Sequence, residues 1–374
     1  MILISLIALK YPIYMPSVTG VHMRKLIHAS ILLCSLLTLS KANAWPQTVT
    51  PNEGGMPALK VTAPNGAENL LIGSMHIPAD GLRQPADSVM DGAKRYVVES
   101  VPDSTIDKVI PEVAPEVKEG MEAMRIAMIG GRQRVLIFNK AVKEGQVPGM
   151  AFRDGGTVLR ANWAMSLSTE QIQQLYRNAR CDSRITQVAA KQETTVEKIV
   201  DTILLTRTPV IASKLASSVC ASEGLLSRDD LLSRAATKRG LQPLPLETVE
   251  ELEKQRSGVP QHIYERQLQQ AFQPVYRQAL QQAIDSLNSG DFDGVFAATN
   301  SGAANNADME IFNQFMLSNR NHAWMPKLMT YFDAGNSVVN VGASHLSGPN
   351  GLIVLLRNKG YRIEPVLVPA GNGR

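Results

Sequence analysis

NLLIGSMHIP, Asn69 to Pro78, and SVVNVGASHLSG, Ser337 to Gly348, are built alike. In each, an apolar run ends on a glycine, Gly73 or Gly342, and a histidine stands three positions later, His76 or His345. Short apolar runs bounded by turn residues read as buried strands of a parallel sheet. Glycine at the end of such a strand lets the backbone turn sharply or lie close to a ligand. In parallel α/β sheets, ligands bind beyond the carboxyl ends of the strands, where loops of neighbouring strands converge. Each stretch is therefore a turn that presents a histidine at a sheet edge, and the two are expected to meet.

Outward from the first stretch, LKVT (residues 59 to 62) and NLLI (69 to 72) flank Asn65-Gly66, a hairpin turn signal. A helix near Ala86 to Gly92 leads to the short buried strand of AKRYVVES, Ala93 to Ser100. From about residue 104 to 240 the periodicity is helical with no β run, and Cys181 and Cys220 both lie there. Within it Ser168 and Gln171 form a capping box, and Ser227 caps a helix that Gly240 ends. LQPLPLE, Leu241 to Glu247, is extended because two prolines exclude a helix. One long helix is expected over Gln261 to Asn288, kinked at Pro274, and another over Met309 to Phe332. Around the second stretch a strand, the helix of GLIVLLRNKG and the strand of YRIEPVLV complete a second unit. The fold class is α/β (α+β): a central mixed β-sheet flanked by helices, with a large all-helical insertion between two strand-GxxH-helix units.

The 374 residues are 44% apolar and 19% charged, ordinary for a globular protein. Residues 1–44 differ, holding no acid. From Met23 they run Arg24-Lys25, apolar ILLCSLLTL, then KANA, the order of a secretory signal cleaved before Trp45. Met1 to His22 reads as an upstream extension from a misplaced start, with a longer anchor as the alternative. Removing the four basic residues of this leader leaves 34 basic against 34 acidic residues in a single domain, 45–374. That balance gives no basic field for nucleic acid or anionic lipid, and membrane contact is expected only through an uncleaved leader. The localisation expected is periplasmic or secreted. Cys181 and Cys220 are the pair left in an oxidising compartment, and a disulfide is the natural reading, with two unpaired buried thiols as the alternative.

After the leader only His76, His262, His322 and His345 remain, and two of these occupy equivalent turns. Glu99 ends an apolar strand and offers a carboxylate at the same edge. Two imidazoles and a carboxylate suit Zn, Mn, Fe or Co with positions open for water. His262 and His322 read as surface residues, although His322 lies beside Arg320 and Asn321.

NLLIGSMHIP, YVVES, LPLETVEE, SGDFDG, NRNHAWMPKL and VNVGASHLSGPNGLIVLLRNKGYRIEPV together resemble the TraB/GumN family, related to the Tiki metalloproteases and to the erythromycin esterase/ChaN-like superfamily. The resemblance spans about residues 59 to 368. It implies that His76, Glu99 and His345 hold a divalent metal (Zn, Mn or Co), that Glu99, Arg320 and Asn321 serve the chemistry, and that Gly73 and Gly342 are the turn glycines. Arg320 would stabilise an oxyanion, and Glu247 would be structural; Leu252 departs from the family's usual glutamine. The implied activity is that of a metal-dependent peptidase acting on peptide or protein. The rivals are a metal-independent, esterase-like hydrolase with a histidine base, and a non-catalytic periplasmic metal-binding, haem-binding or adaptor protein. Oligomeric state is not legible.

Overall fold

The hairpin expected at Asn65-Gly66 opens the sheet in a computed structural model that describes residues 45–50, 54–101, 112–153, 155–301 and 306–374. The expectations for a leader at 1–44 lie outside these residues. The strands are β1 (Met56–Thr62), β2 (Glu68–Ser74), β3 (Gln84–Pro85), β4 (Arg95–Val98), β5 (Met150–Arg153), β6 (Gly156–Leu159), β7 (Pro243–Pro245), β8 (Ser337–Gly342), β9 (Arg362–Val368) and β10 (Ala370–Gly371). Six form one mixed sheet in the order β7-β4-β8-β2-β1-β9. Four neighbours, β7, β4, β8 and β2, run parallel, while β1 is antiparallel to both β2 and β9.

Helices cover both faces of this sheet, because its strands alternate side chains between two apolar sets. Leu71, Val97, Val339 and Val341 face α10 (Pro274–Ser289), α11 (Phe292–Ser301), α13 (Asn319–Asp333) and α14 (Leu352–Arg357). Leu70, Ile72, Tyr96 and Val338 face α7 (Arg228–Lys238) and a 3₁₀ turn at Asp87–Met90, which stands where a helix near Ala86 to Gly92 was expected.

Of the block expected as an insertion over about 104–240, the helices α1 (Pro115–Ile129), α2 (Gly131–Lys143), α3 (Thr169–Cys181), α4 (Ser183–Lys191), α5 (Val196–Ile203) and α6 (Val210–Ser217) form the insertion, while α7 at its end packs on the sheet. Most of it has its own core around Leu167, Leu175, Val200, Ile203 and Leu215. Ser168 makes the capping box with Gln171, and Cys181 bridges Cys220. The insertion is not wholly helical: β5 and β6 pair as a hairpin. Four-residue strands, only partly buried, leave too little alternation to read against the helical background.

The long helix expected over Gln261 to Asn288 is two helices, α9 (Gln261–Ala271) and α10. Pro274 does not kink a continuous rod; it sits in the first turn of α10, where a missing N–H costs nothing. α8 (Val249–Gly258) precedes them. The helix expected from Met309 runs as α12 (Asn306–Asn313), a π turn over Gln314–Ser318, and α13.

Candidate functional site: two histidines and a glutamate at neighbouring strand ends

Register decides what meets at the sheet edge. Ser74 of β2 pairs with Gly342 of β8, and Val98 of β4 pairs with Asn340 of β8, so β2 and β8 end level and β4 ends two residues short of them. His76 follows Ser74 by two residues, Glu99 follows Val98 directly, and His345 follows Gly342 by three. All three side chains converge. His76 Nε2 lies 3.3 Å and His345 Nε2 3.7 Å from the same oxygen, Oε1 of Glu99. The backbone N–H of Gly342 donates to that oxygen at 2.6 Å.

Gly342 is needed for space, not for backbone freedom. Its φ of −55° suits any residue, but a Cβ there would stand 2.8 Å from His76 Nε2 and 3.2 Å from Glu99 Oε1. Gly73 is held equally tightly, since a Cβ would meet Phe292 at 3.0 Å and both Ala343 and Leu346 at 3.1 Å. The left-handed residue of the first turn is His76 itself, at φ +60°. Non-glycine residues seldom adopt that conformation, which persists only where the surroundings fix it. Here the His76 N–H donates to Ser74 Oγ at 3.1 Å, and the ring is held from behind.

That hold comes from Asp229, in the first turn of α7. Its Oδ1 lies 3.0 Å from His76 Nδ1 and accepts from Asn340 Nδ2 at 2.9 Å, while its Oδ2 accepts from the Ser74 hydroxyl. His345 is fastened in the same manner by Asn321. Asn321 Nδ2 donates to the carbonyls of His345 at 3.1 Å and Asn350 at 2.8 Å, so its Oδ1 must be the acceptor facing His345 Nδ1 at 2.7 Å. The His345 proton therefore sits on Nδ1, and Nε2 presents a lone pair. Both rings have their far nitrogen engaged and turn Nε2 toward Glu99.

Arg320 completes the cluster from α13. Its Nε donates to both Glu247 oxygens, its Nη1 to the Met316 carbonyl at 3.0 Å and to His345 Nε2 at 3.1 Å, and its Nη2 to Glu99 Oε2 at 2.7 Å and Glu247 Oε1 at 2.6 Å. Every N–H of the guanidinium is engaged, leaving none for a substrate oxygen. Buried Glu247 also accepts from Trp324 Nε1 at 3.1 Å, and the Trp324 ring lies 4.7 Å from the Arg320 guanidinium carbon and 4.5 Å from the His345 ring. Arg320 is thus clamped between two carboxylates over an indole.

The environments drive the two histidines apart. Burial pushes His345 down to about 3, assisted by Arg320 and His76 against the pull of Glu99. Desolvation of its covered half opposes a charge on half-exposed His76, yet Asp229 and Glu99 on either side raise it well above its ordinary value. Glu99 would be raised by burial, but the two histidines and Arg320 hold its carboxyl well below the usual carboxylate range. Asp229 is likewise lowered against burial, by His76 and Ser74. One imidazole is charged between two carboxylates; the other is neutral beside a guanidinium.

His262 and His322 stay outside. Both are exposed; His262 pairs with Asp308, and His322 Nδ1 lies 2.9 Å from the Ser318 carbonyl of its own helical segment. The residue that sequence reasoning missed is Asp229. RDD after the Ser227 cap reads as ordinary first-turn acid, and nothing local marks one of the two carboxylates as reaching a strand end.

Among the described residues no three His, Cys, Asp or Glu side chains already stand as a ligand cage. The Nη1 donor of Arg320 uses the His345 lone pair that ligation would need. The donor set nonetheless fits a divalent ion in kind: two Nε2 atoms with outer partners on Nδ1, a carboxylate oxygen between them, and a floor kept bare of side chain by Gly342.

The fold and site define an α/β protein whose two histidine-presenting turns and intervening glutamate close on one another at the carboxyl edge of a mixed sheet. The chain belongs to the TraB/PrgY/gumN family, whose model matches residues 58–365. No curated protein and no solved structure matches it.

Proposed function

We propose that the protein is an exported metal-dependent hydrolase, a peptidase acting on peptide or protein at His76, Glu99 and His345. One observation carries this reading: both Nε2 atoms, each ring fixed from behind, face a single Glu99 oxygen. His76, Glu99 and His345 would hold the ion, which when bound polarises a carbonyl and lowers the pKa of water. Asp229 and Asn321 orient the imidazoles and set which nitrogen carries the proton. Arg320 is a positioning residue, aligning Glu99 through Oε2 and itself held by Glu247. Ion loading and the Arg320–His345 hydrogen bond exclude each other, because both need one lone pair.

That hydrogen bond favours a second reading, a metal-independent hydrolase. In it His76, whose side chain is 49% exposed against 4% for His345, holds a proton between Asp229 and Glu99 and acts as the acid–base group. Export to a periplasmic or extracellular space is supported by the leader grammar and by the disulfide.

Metal analysis of wild-type protein and His345→Ala, with a peptide-library digest with and without chelator, tests these readings. Stoichiometric metal lost in the variant, with chelator-sensitive cleavage, is the expected result. Chelator-resistant cleavage without metal would select the second reading, and absence of any cleavage would sink both.

A further inference from the structure

The hairpin of α1 and α2 is fastened at its base and bare at its tip. At the base Val142, Val147 and Met150 pack with Ala123, Phe138 and Ala141. The chain reverses at Gly130-Gly131, where Gly131 has φ +81°, and beyond the base the apolar side chains have no cover. Met128 is 69% exposed, Ile129 74%, Leu136 56% and Ile137 62%. Arg132 and Arg134 stand in the first turn of α2 beside the tip, whereas Lys140, 3.8 Å from Glu144, and Lys143, over the Phe152 ring, belong to the base. Neither Arg132 nor Arg134 has an ion pair among the described residues. Where the even overall balance gave no basic field, the tip holds two arginines beside its exposed apolar side chains.

We propose that this tip docks the protein on an anionic lipid surface. Large aliphatic side chains at a helical tip can enter the acyl boundary, while the two arginines beside them reach the lipid phosphates. Charge complementarity selects this occupant over a second copy. A two-fold contact at the tip would set Arg132 and Arg134 against the same two arginines of its partner. The inference is independent of the hydrolase reading, since no residue of the site takes part.

Co-sedimentation of the full exported protein with vesicles of phosphatidylcholine alone, or phosphatidylcholine with phosphatidylglycerol, tests it. The expected result is salt-sensitive binding to the anionic vesicles only. Arg132→Gln/Arg134→Gln should weaken it roughly 25-fold, since each basic residue near such a surface is worth about a factor of five. Ile129→Ser/Ile137→Ser should also release the protein while leaving its melting midpoint unchanged. Equal binding to both vesicle types, binding untouched by either variant, or no binding would overturn the proposal. An oligomer dissolved by Ile129→Ser/Ile137→Ser would overturn it in favour of a second copy.

Discussion

Asp229 Oδ1 lies 3.0 Å from His76 Nδ1 across 153 residues of sequence, so a helix following the insertion orients the histidine of the first strand turn. Asp229→Asn keeps the shape and removes the charge. Loss of such an outer partner costs about 10–100-fold in metal affinity or turnover. The expectation is a drop of that size in either quantity with little change in melting temperature. An unaffected His76 site would mean that the Asp229 contact is incidental.

A methyl group at position 342 would stand among His76, Glu99 and His345. Gly342→Ala is therefore expected to abolish metal uptake and hydrolysis, whereas Gly348→Ala, whose Cβ would stand clear of these three groups, acts as a control for backbone strain through its φ of +82°. Titration with a divalent metal followed calorimetrically distinguishes the two. Normal uptake by Gly342→Ala would show that the floor of the site lies elsewhere.

Acid should destabilise the metal-free protein well before the carboxylates titrate. His345 is neutral in the fold, pushed down to about 3, while in the unfolded chain it titrates near 6.5. Between those values only the unfolded chain binds the proton, so stability falls as pH falls, by an amount of the order of 5 kcal/mol in full. Glu99 and Asp229, both lowered, lose their contributions further down as each is protonated. His76 runs the other way: its pKa is raised, so its contribution is complete below about 6.5 and lost as pH rises through the folded value. Urea midpoints should fall from about pH 6.5 to about pH 4 and fall less in His345→Gln. A flat profile over that window in the wild type would contradict a neutral His345.

The Cys181–Cys220 bridge closes a sequence separation of 39 residues inside the insertion, worth about 4 kcal/mol on the loop-entropy model. Denatured, unreduced protein should show no titratable thiol. Cys181→Ser/Cys220→Ser should lower the melting temperature while the sheet cluster keeps its geometry, because neither cysteine touches it. Two thiols per chain would refute the bridge.

His76, Glu99 and His345 were legible because their signal is local: an apolar run, a strand end, a fixed step to a polar residue. Their meeting follows from parallel neighbours whose register ends them within two residues of one another, which the sequence implies only through the rule that strand ends cluster. Asp229 was not legible, since an acid in a first turn is already accounted for by the helix terminus. The engaged state of Arg320 was equally hidden: a sequence names a guanidinium but not how many of its donors are spent on Glu247. The hairpin of β5 and β6 and the break before Pro274 turn on short-range chemistry that a helical background masks. Pro274 opens α10 without a local sign of it, because a proline opening a helix and one bending it look alike until the preceding residues leave the helix.

The pairing of β2 with β8 and of β1 with β9 has a consequence in time as well as space. Leu70 joins Val338, and Met56 joins Val368, so the sheet closes only after nearly the whole chain has been made. A nascent chain ending before Ser337 has β2, β4 and α7 but neither the Gly342 floor nor His345. No fragment released early in synthesis can carry the three-residue cluster. Order of assembly thus withholds the chemistry of this protein until its last strands are in place.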